Sequence, residues 1–94
     1  MATFFLMGKY SPEALKDMSA ERTEKCIGVI RELGGEVDSI YALLGDIDLV
    51  VIANMPNNRA ALKASVTLSK MTGIGFMTCP AFNVEEFDEL MKGS

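Results

Sequence analysis

The stretch that decides the fold of this chain is VDSIYALLGDIDLVVIA, residues 37–53. Two runs rich in aliphatic and β-branched residues flank the dipeptide Gly45-Asp46. This dipeptide is typical of a two-residue hairpin turn, because glycine accepts the positive φ that the turn needs. The stretch therefore predicts a β-hairpin with strands over residues 37–44 and 47–53.

A strand and a helix precede this hairpin. Residues 3–10 are a short, aromatic-rich apolar run that predicts a strand. Ser11-Pro12 then predicts the start of a helix, because proline at the first helical position loses no hydrogen bond. Apolar residues recur every three or four positions until Gly34-Gly35 ends the helix. Ser19 is a second candidate N-cap, so we expect the helix to break near Met18.

A second helix and a last strand follow the hairpin. Asn57 or Asn58 can cap a helix that runs to about residue 71. Residues 74–82 then predict a strand. Pro80 restricts this strand to an edge of the sheet, because proline cannot donate a hydrogen bond to a neighbouring strand.

The segment Asn83-Val-Glu-Glu86 has the form of a capping box and predicts a short, amphipathic C-terminal helix. The complete order is β-α-β-β-α-β followed by that helix. Right-handed crossovers place both long helices on one face of a single antiparallel sheet. The sequence therefore predicts an α+β, ferredoxin-like fold, and we expect residues 1–94 to form one domain.

Both faces of the predicted sheet are apolar, although two helices can cover only one. If Leu44 pairs with Ile47, the uncovered face carries Val37, Ser39, Tyr41, Leu43, Asp48, Val50, Ile52 and Asn54. Exposing this face would leave a larger apolar patch than soluble monomers usually show. We therefore expect a homodimer or higher oligomer, with an interface that includes Tyr41, Leu43, Asp48, Val50 and Ile52. The alternative is that the C-terminal helix folds over this face.

Charge and composition exclude several classes of partner. The formal net charge is −4, and the nine lysine and arginine residues are scattered. Nucleic acid and membrane surfaces are therefore not expected as partners, because both need clustered positive charge. No apolar run approaches the ~20 residues that span a bilayer. The run at residues 4–7 has no basic residue before it, unlike a signal peptide, so we expect a cytoplasmic protein.

The chain contains no histidine and two cysteines, Cys26 and Cys79. Without histidine it has no Ser-His-Asp triad and no His-ligated haem or zinc. The two cysteines lie too far apart in sequence for a CxxC motif, so we expect them to be reduced packing residues. The sequence therefore predicts no catalytic residues, no metal site and no cofactor.

Arg22, Tyr10, Tyr41 and Asp48 are the candidate residues of a ligand site. Arg22 interrupts the apolar stripe of the first long helix, where its guanidinium can pair with an anion. The structural alternative is that it reaches solvent or pairs with Glu86 or Asp88. The tyrosines are polar groups that can line a cleft between the helices and the sheet.

The two aspartates of the hairpin have different positions. Asp46 belongs to the turn, where aspartate is favoured. Asp48 is placed on the apolar, uncovered face near Tyr41, where an unpaired carboxylate costs several kcal/mol. We therefore expect a partner for Asp48: a lysine or arginine across the interface, a backbone amide, or a ligand.

The order of motifs from Cys26 to Leu90 resembles the GYD domain family. That family has a helix ending in two glycines, a Gly-x-Tyr-Asp turn before a hydrophobic strand, a second helix, and a last strand with an acidic-aromatic tail. The corresponding segments here are ELGGEV, LLGDIDLVVIANMPNN, KMTGIGFMTCPAF and NVEEFDEL. Ile47 stands where the family motif has tyrosine. The resemblance implies a small ferredoxin-like protein, similar to dimeric α+β barrel domains, most without an established activity.

Two functions remain open at this point. The first is an oligomeric module without catalysis, which serves assembly or binds a small molecule between helices and sheet. The second is a cofactor-independent dimeric α+β barrel enzyme acting on a small carbonyl or phenolic substrate through Tyr41, Asp48 or Arg22, and only fold analogy supports it. Convergence of Arg22, Tyr10 and Tyr41 on a cavity of roughly 300 Å³ or more favours a ligand site. If methionine and leucine side chains fill the cleft, assembly is the only function of the two that remains.

Overall fold

The computed structural model describes residues 1–93, and its elements follow the predicted order. The strands are β1 (Ala2–Lys9), β2 (Glu36–Ala42), β3 (Leu49–Met55) and β4 (Gly75–Ala81). The helices are α1 (Pro12–Lys16), α2 (Ala20–Glu32), α3 (Asn58–Thr72) and α4 (Val84–Met91). The strands form one antiparallel sheet in the order β2-β3-β1-β4, with Pro80 on the edge strand β4 as expected. The predicted α+β, ferredoxin-like fold is confirmed.

Two serine caps divide the first helical region. The Ser11 hydroxyl accepts a hydrogen bond from the Ala14 amide at 3.0 Å, and the Ser19 hydroxyl accepts one from the Arg22 amide at 3.1 Å. Each bond satisfies an amide that the first turn of a helix leaves without an internal partner. The break predicted near Met18 is therefore confirmed, and it separates α1 from α2.

Asparagine caps begin α3 and α4, as the sequence predicts. The Asn57 side-chain oxygen accepts from the Ala60 amide at 2.9 Å, and the Asn83 side-chain oxygen accepts from the Glu86 amide at 2.8 Å. At the C-terminal end of α3, Gly73 has a φ of +77°, the left-handed conformation that glycine adopts without strain. These boundaries follow from residues next to them in the chain.

The hydrophobic core lies between the sheet and the helices α2 and α3. Its side chains are at most 5% exposed: Phe4, Leu6, Val51, Ala53 and Met55 on the strands, Ile30 on α2, and Ala61, Ala64 and Leu68 on α3. Because alternate strand residues point to opposite sides, the remaining ones form an uncovered side. This open face carries Phe5, Met7, Tyr41, Val50, Ile52, Met77 and Cys79.

The hairpin has the predicted register but a longer loop. Ala42 faces Leu49, the pairing that a turn at Gly45-Asp46 requires. The strands end at this pair and residues 43–48 form the loop, so the predicted two-residue turn is wrong. Leu49 also faces Gly8 near the end of β1. A longer hairpin would extend past the rest of the sheet, where it buries little apolar surface.

A β-bulge in β2 moves Val37 to the helix-covered side of the sheet. The pairing shifts by one residue between Val37 and Ser39, so that Val37 faces Ala53. The extra residue, Asp38, reverses the alternation before it. The prediction that Val37 lies on the uncovered face is therefore wrong, because simple alternation assumes an uninterrupted ladder.

Helix α4 does not cover the open face. It has no buried residue, and Val84, Phe87, Leu90 and Met91 are each more than half exposed. A helix of eight residues is about 12 Å long, whereas four strands of seven residues span roughly 19 by 24 Å. The alternative in which the C-terminal helix folds over the sheet is therefore wrong, since α4 is too short to cover it.

Candidate functional site

A cleft of about 210 Å³ opens between α2 and the helix-covered side of the sheet. Its walls are mainly aliphatic and aromatic, and the lining residues are Tyr10, Met18, Arg22, Thr23, Cys26, Ile27, Ile30, Val37, Ile40, Ala42, Leu49, Val51, Leu68 and Phe76. Apolar walls with a few polar groups are typical of small-molecule sites. The volume lies below the roughly 300 Å³ at which drug-sized ligands begin to fit, so the cleft suits a smaller molecule.

Two contacts hold the Arg22 side chain at this cleft. Nη1 donates a hydrogen bond to the Ala14 carbonyl oxygen at 2.6 Å, and the guanidinium carbon lies 5.8 Å from the centre of the Tyr10 ring. Ala14 lies near the end of α1, where carbonyl groups have no partner inside the helix. Arg22 therefore joins α1 to α2. Within residues 1–93 it forms no ion pair with Glu86 or Asp88.

Cys26 lies about one helical turn after Arg22 on the same wall. Burial raises the pKa of the Cys26 thiol, and the Arg22 guanidinium lowers that pKa to a smaller extent. The thiol is therefore neutral at pH 7 and adds no negative charge to the cleft. Sequence reasoning missed Cys26 as a lining residue. Its spacing of four from Arg22 and from Ile30 is the signal that places all three on one helix face.

Tyr41 lies on the other side of the sheet from this cleft. It faces Val50 on the open face and is 55% exposed. Of the four candidate residues, the structure brings Arg22 and Tyr10 together and leaves Tyr41 apart from them. The expected convergence of Arg22, Tyr10 and Tyr41 on a cavity of roughly 300 Å³ or more is therefore wrong: the cleft is smaller, and Tyr41 does not line it.

Asp48 is hydrogen-bonded to the backbone at the end of strand β1. Its carboxylate Oδ2 accepts a hydrogen bond from the Tyr10 amide at 2.9 Å, and its own amide donates to the Gly8 carbonyl at 2.9 Å. A backbone amide was one of the three partners expected for this carboxylate. The bond fixes the backbone of Tyr10 as the chain leaves the sheet, so Asp48 positions a residue that lines the cleft.

We expect Asp48→Ala to lower the free energy of unfolding by about 1–2 kcal/mol, because the Tyr10 amide loses a charged acceptor. Asp48→Asn is the matched control: it keeps a side-chain oxygen and should lose clearly less. Urea denaturation measures both differences. An Asp48→Ala variant as stable as the unchanged protein would contradict this structural role.

The open face is the second candidate surface. Val50 lies on the inner strand β3 near the hairpin loop, where Met7 and Tyr41 face it from the neighbouring strands, and is only 9% exposed. Tyr41 and Met77, on the outer strands β2 and β4, are each 55% exposed. Of the predicted interface residues, Tyr41, Val50 and Ile52 lie in strands on this face, and Leu43 and Asp48 lie in the loop beside it.

Metal ions and membranes are the remaining partners to consider for residues 1–93, the part of the chain that the structure describes. There, no three His, Cys, Asp or Glu side chains are grouped so that they could hold a metal ion. No helix in the same range is long and apolar enough to cross a membrane. The ion pair found in this range, Lys92 Nζ to Glu89 Oε2 at 3.6 Å, is exposed, and neither residue lines the cleft.

The four-stranded antiparallel sheet, the two helices on one side of it and the apolar cleft between them define a small ferredoxin-like module of the α+β class. A family model described as the GYD domain matches residues 4–91. The chain belongs to the GYD domain family. Asp48 stands at the aspartate of the Gly-x-Tyr-Asp motif, so in this chain the carboxylate of that motif binds the backbone at the end of β1. No curated protein matches the sequence.

Solved structures share the fold at low sequence identity. The leucine response regulatory protein of Mycobacterium tuberculosis matches with a TM-score of 0.57 and 12% identity, over 87% of this chain and 51% of that chain. An AsnC family transcriptional regulator from Agrobacterium tumefaciens matches with a TM-score of 0.57 and 19% identity, over 87% of this chain and 50% of that chain. This chain therefore spans about half the length of these proteins. At this identity the likeness shows the fold alone.

Proposed function

We propose that this protein is a non-catalytic binding module that holds a small molecule in the cleft between α2 and the sheet. The observation that supports this function is the space of about 210 Å³, which has apolar walls and the positioned guanidinium of Arg22. A cleft filled by methionine and leucine would have had no such space. An apolar cavity with few, oriented polar groups is the usual form of a ligand site.

The residues of the enzyme alternative do not surround a common space. Arg22 lines the cleft, whereas Tyr41 lies on the opposite face of the sheet. The Asp48 carboxylate is hydrogen-bonded to the Tyr10 amide. A general acid or base has to lie within hydrogen-bond reach of the reacting group. Binding without catalysis is therefore the function that the geometry supports best.

The two cysteines make the binding function testable, because they lie on different surfaces. Cys26 lines the cleft, and Cys79, which faces Phe5 on β1, lies on the open face. We use benzoate, benzyl alcohol and benzylamine as probes of the cleft. At a concentration ten times its dissociation constant, a probe leaves the cleft empty in about one protein molecule in eleven. Because only those molecules expose Cys26, we expect iodoacetamide to alkylate it about tenfold more slowly. The rate at Cys79 should not change, and peptide mass spectrometry measures both rates.

Two variants control this experiment. Ala42→Phe fills the cleft from its exposed rim, whereas Ala20→Phe adds the same ring at an exposed alanine that does not line the cleft. The effect of the probes on Cys26 should disappear in Ala42→Phe and persist in Ala20→Phe. If none of the three probes slows the alkylation of Cys26 in the unchanged protein, the binding function is refuted.

We also propose that two or more copies of this chain associate through the open face. Its central residues are apolar, and α4 leaves them uncovered. The outline of the sheet, roughly 19 by 24 Å, encloses about 450 Å². The accessible surface of the side chains on this face is larger than that outline. Stable interfaces bury about 800 Å² per partner. A second copy is the occupant that fits, because an apolar face that lacks strong charge can pair with itself across a two-fold axis.

Sedimentation velocity at micromolar concentration tests this association. We expect a mass of two subunits or a higher multiple. A monomer at that concentration would refute it. The cytoplasmic location, the absence of a nucleic-acid partner and the single domain over residues 1–94 stay predictions from the sequence.

A further inference from the structure

We propose that the ligand of the cleft is a small carboxylic acid, bound as its anion, with an apolar body and no positively charged group. This inference rests on the proposed function, because it names the chemical class that the same cleft selects. The charge of the lining, the orientation of Arg22 and the size of the space each support it.

The charge of the cleft favours an anion. Arg22 is the only charged residue among the fourteen that line it, and the lining contains no aspartate or glutamate. The Cys26 thiol is neutral, since burial raises its pKa. An ammonium group would enter an apolar space beside a guanidinium with no carboxylate to pair it, and burying an unpaired charge is costly. The cleft therefore selects against amines and zwitterions.

Two contacts hold the Arg22 guanidinium at the cleft, where a carboxylate can reach it. Its bond to the Ala14 carbonyl and its position beside the Tyr10 ring restrain the side chain. A guanidinium has five N–H donors, so donors remain beyond the one that Ala14 accepts. Among the described residues 1–93, no acidic side chain pairs with Arg22. Charge-assisted hydrogen bonds are stronger than neutral ones, and a restrained side chain loses less entropy when it binds.

The volume of the cleft limits the apolar body of the ligand. A dry cavity of about 150 Å³ can hold a benzene molecule, and this cleft measures about 210 Å³. It therefore has room for one aromatic ring or a short branched aliphatic chain together with a carboxylate. The apolar walls that would contact such a body include Ile27 and Ile30 on α2 and Ile40, Leu49 and Val51 on the sheet. Long-chain fatty acids exceed this space.

Isothermal titration calorimetry with three ligands of the same ring size tests the charge preference. Benzoate, benzyl alcohol and benzylamine differ mainly in charge, and each is titrated into the unchanged protein at pH 7. We expect benzoate to bind about tenfold or more tighter than benzyl alcohol, because only benzoate forms charge-assisted bonds to Arg22. Benzylamine should bind most weakly.

A pair of variants tests whether Arg22 is the source of this preference. Arg22→Gln removes the charge and keeps a neutral side-chain N–H donor, so it should weaken benzoate binding about tenfold and leave the affinity for benzyl alcohol unchanged. Arg31→Gln is the control, because Arg31 is exposed on the same helix and does not line the cleft. It should change neither affinity. Circular dichroism checks whether each variant folds. If Arg22→Gln does not fold, the ratio of the benzoate and benzyl alcohol affinities in the unchanged protein decides whether the cleft prefers a carboxylate.

The outcomes separate this inference from the proposed function. Equal affinities for benzoate and benzyl alcohol, tighter binding of benzylamine than of benzoate, or an unchanged benzoate affinity in folded Arg22→Gln would each overturn the carboxylate class. In those cases the cleft still binds small molecules, and the proposed function stands. If no probe binds at all, both are overturned.

Discussion

If copies of this chain associate through the open face as proposed, Ile52→Lys should make the protein a monomer at micromolar concentration. Ile52 lies on the open face of the central strand β3, with Phe5 opposite on β1 and Ser39 opposite on β2. When two sheets meet face to face, this side chain contacts the second copy. A lysine ammonium there loses its hydration without gaining an acidic partner from Phe5 or Ser39. Because the substitution is present in both copies, we expect the dissociation constant to rise about 1,000-fold or more.

Leu62→Lys is the matched control for this result. Leu62 lies on α3 and is 65% exposed, so the same change introduces the same charge away from the open face. Its sedimentation should equal that of the unchanged protein. Alkylation gives a second measurement: Cys79 should react faster in Ile52→Lys, whereas Cys26 in the cleft keeps its rate. If Ile52→Lys retains the mass of the unchanged protein, the open face is not the interface.

Gly35→Ala should lower the free energy of unfolding by about 2–4 kcal/mol, because the added methyl group has no space. It would lie 2.5 Å from Sδ of Met55 and 2.7 Å from the carbonyl oxygen of Asn54. Met55 is fully buried, and the backbone of Asn54 pairs with both of its neighbouring strands. The Asn54 carbonyl oxygen cannot move without disturbing the sheet, and the buried Met55 side chain has to repack in the core. For a chain of this length the melting temperature should fall by roughly 10–25 °C.

Gly28→Ala is the control for Gly35→Ala, because it makes the same chemical change where space is free. Gly28 lies in the middle of α2, and nothing stands within 4 Å of an added methyl group. Glycine has a higher entropy cost than alanine in a helix, so this variant should be more stable by about 0.5–1 kcal/mol. Thermal denaturation compares the two at one fixed subunit concentration, since the proposed association would make the melting temperature depend on concentration. Equal shifts would contradict the close packing of Gly35.

The hairpin shows how far the pattern of residues can be interpreted. Alternation of side chains predicted the pairing of Ala42 with Leu49 correctly, because a shift of one residue would turn every apolar side chain away from the core. The ends of the strands were not predictable in the same way. They depend on where β1 stops beside Leu49, and that is decided by a segment far away in the sequence.

The candidate site was predictable only in part, for a related reason. Arg22 stands out in the sequence because it interrupts an apolar helical stripe, and the structure places it at the cleft. Cys26 and the aliphatic walls carry no such signal, since a residue that lines a cavity and a residue that packs in a core have the same composition. Whether space remains between α2 and the sheet depends on how closely two layers approach one another, and residue types alone do not specify that distance.

By itself, the sequence determined the order of the elements, the polar caps of the helices and the register of the hairpin next to its turn. Each of these depends on residues that are close together along the chain. Only the tertiary structure decided that Arg22 and Tyr10 meet at a cleft and that Tyr41 lies on the opposite face. It also decided that the partner of Asp48 is the Tyr10 amide. These contacts join segments that are distant in sequence, and a single extra residue such as Asp38 changes the face on which a side chain lies.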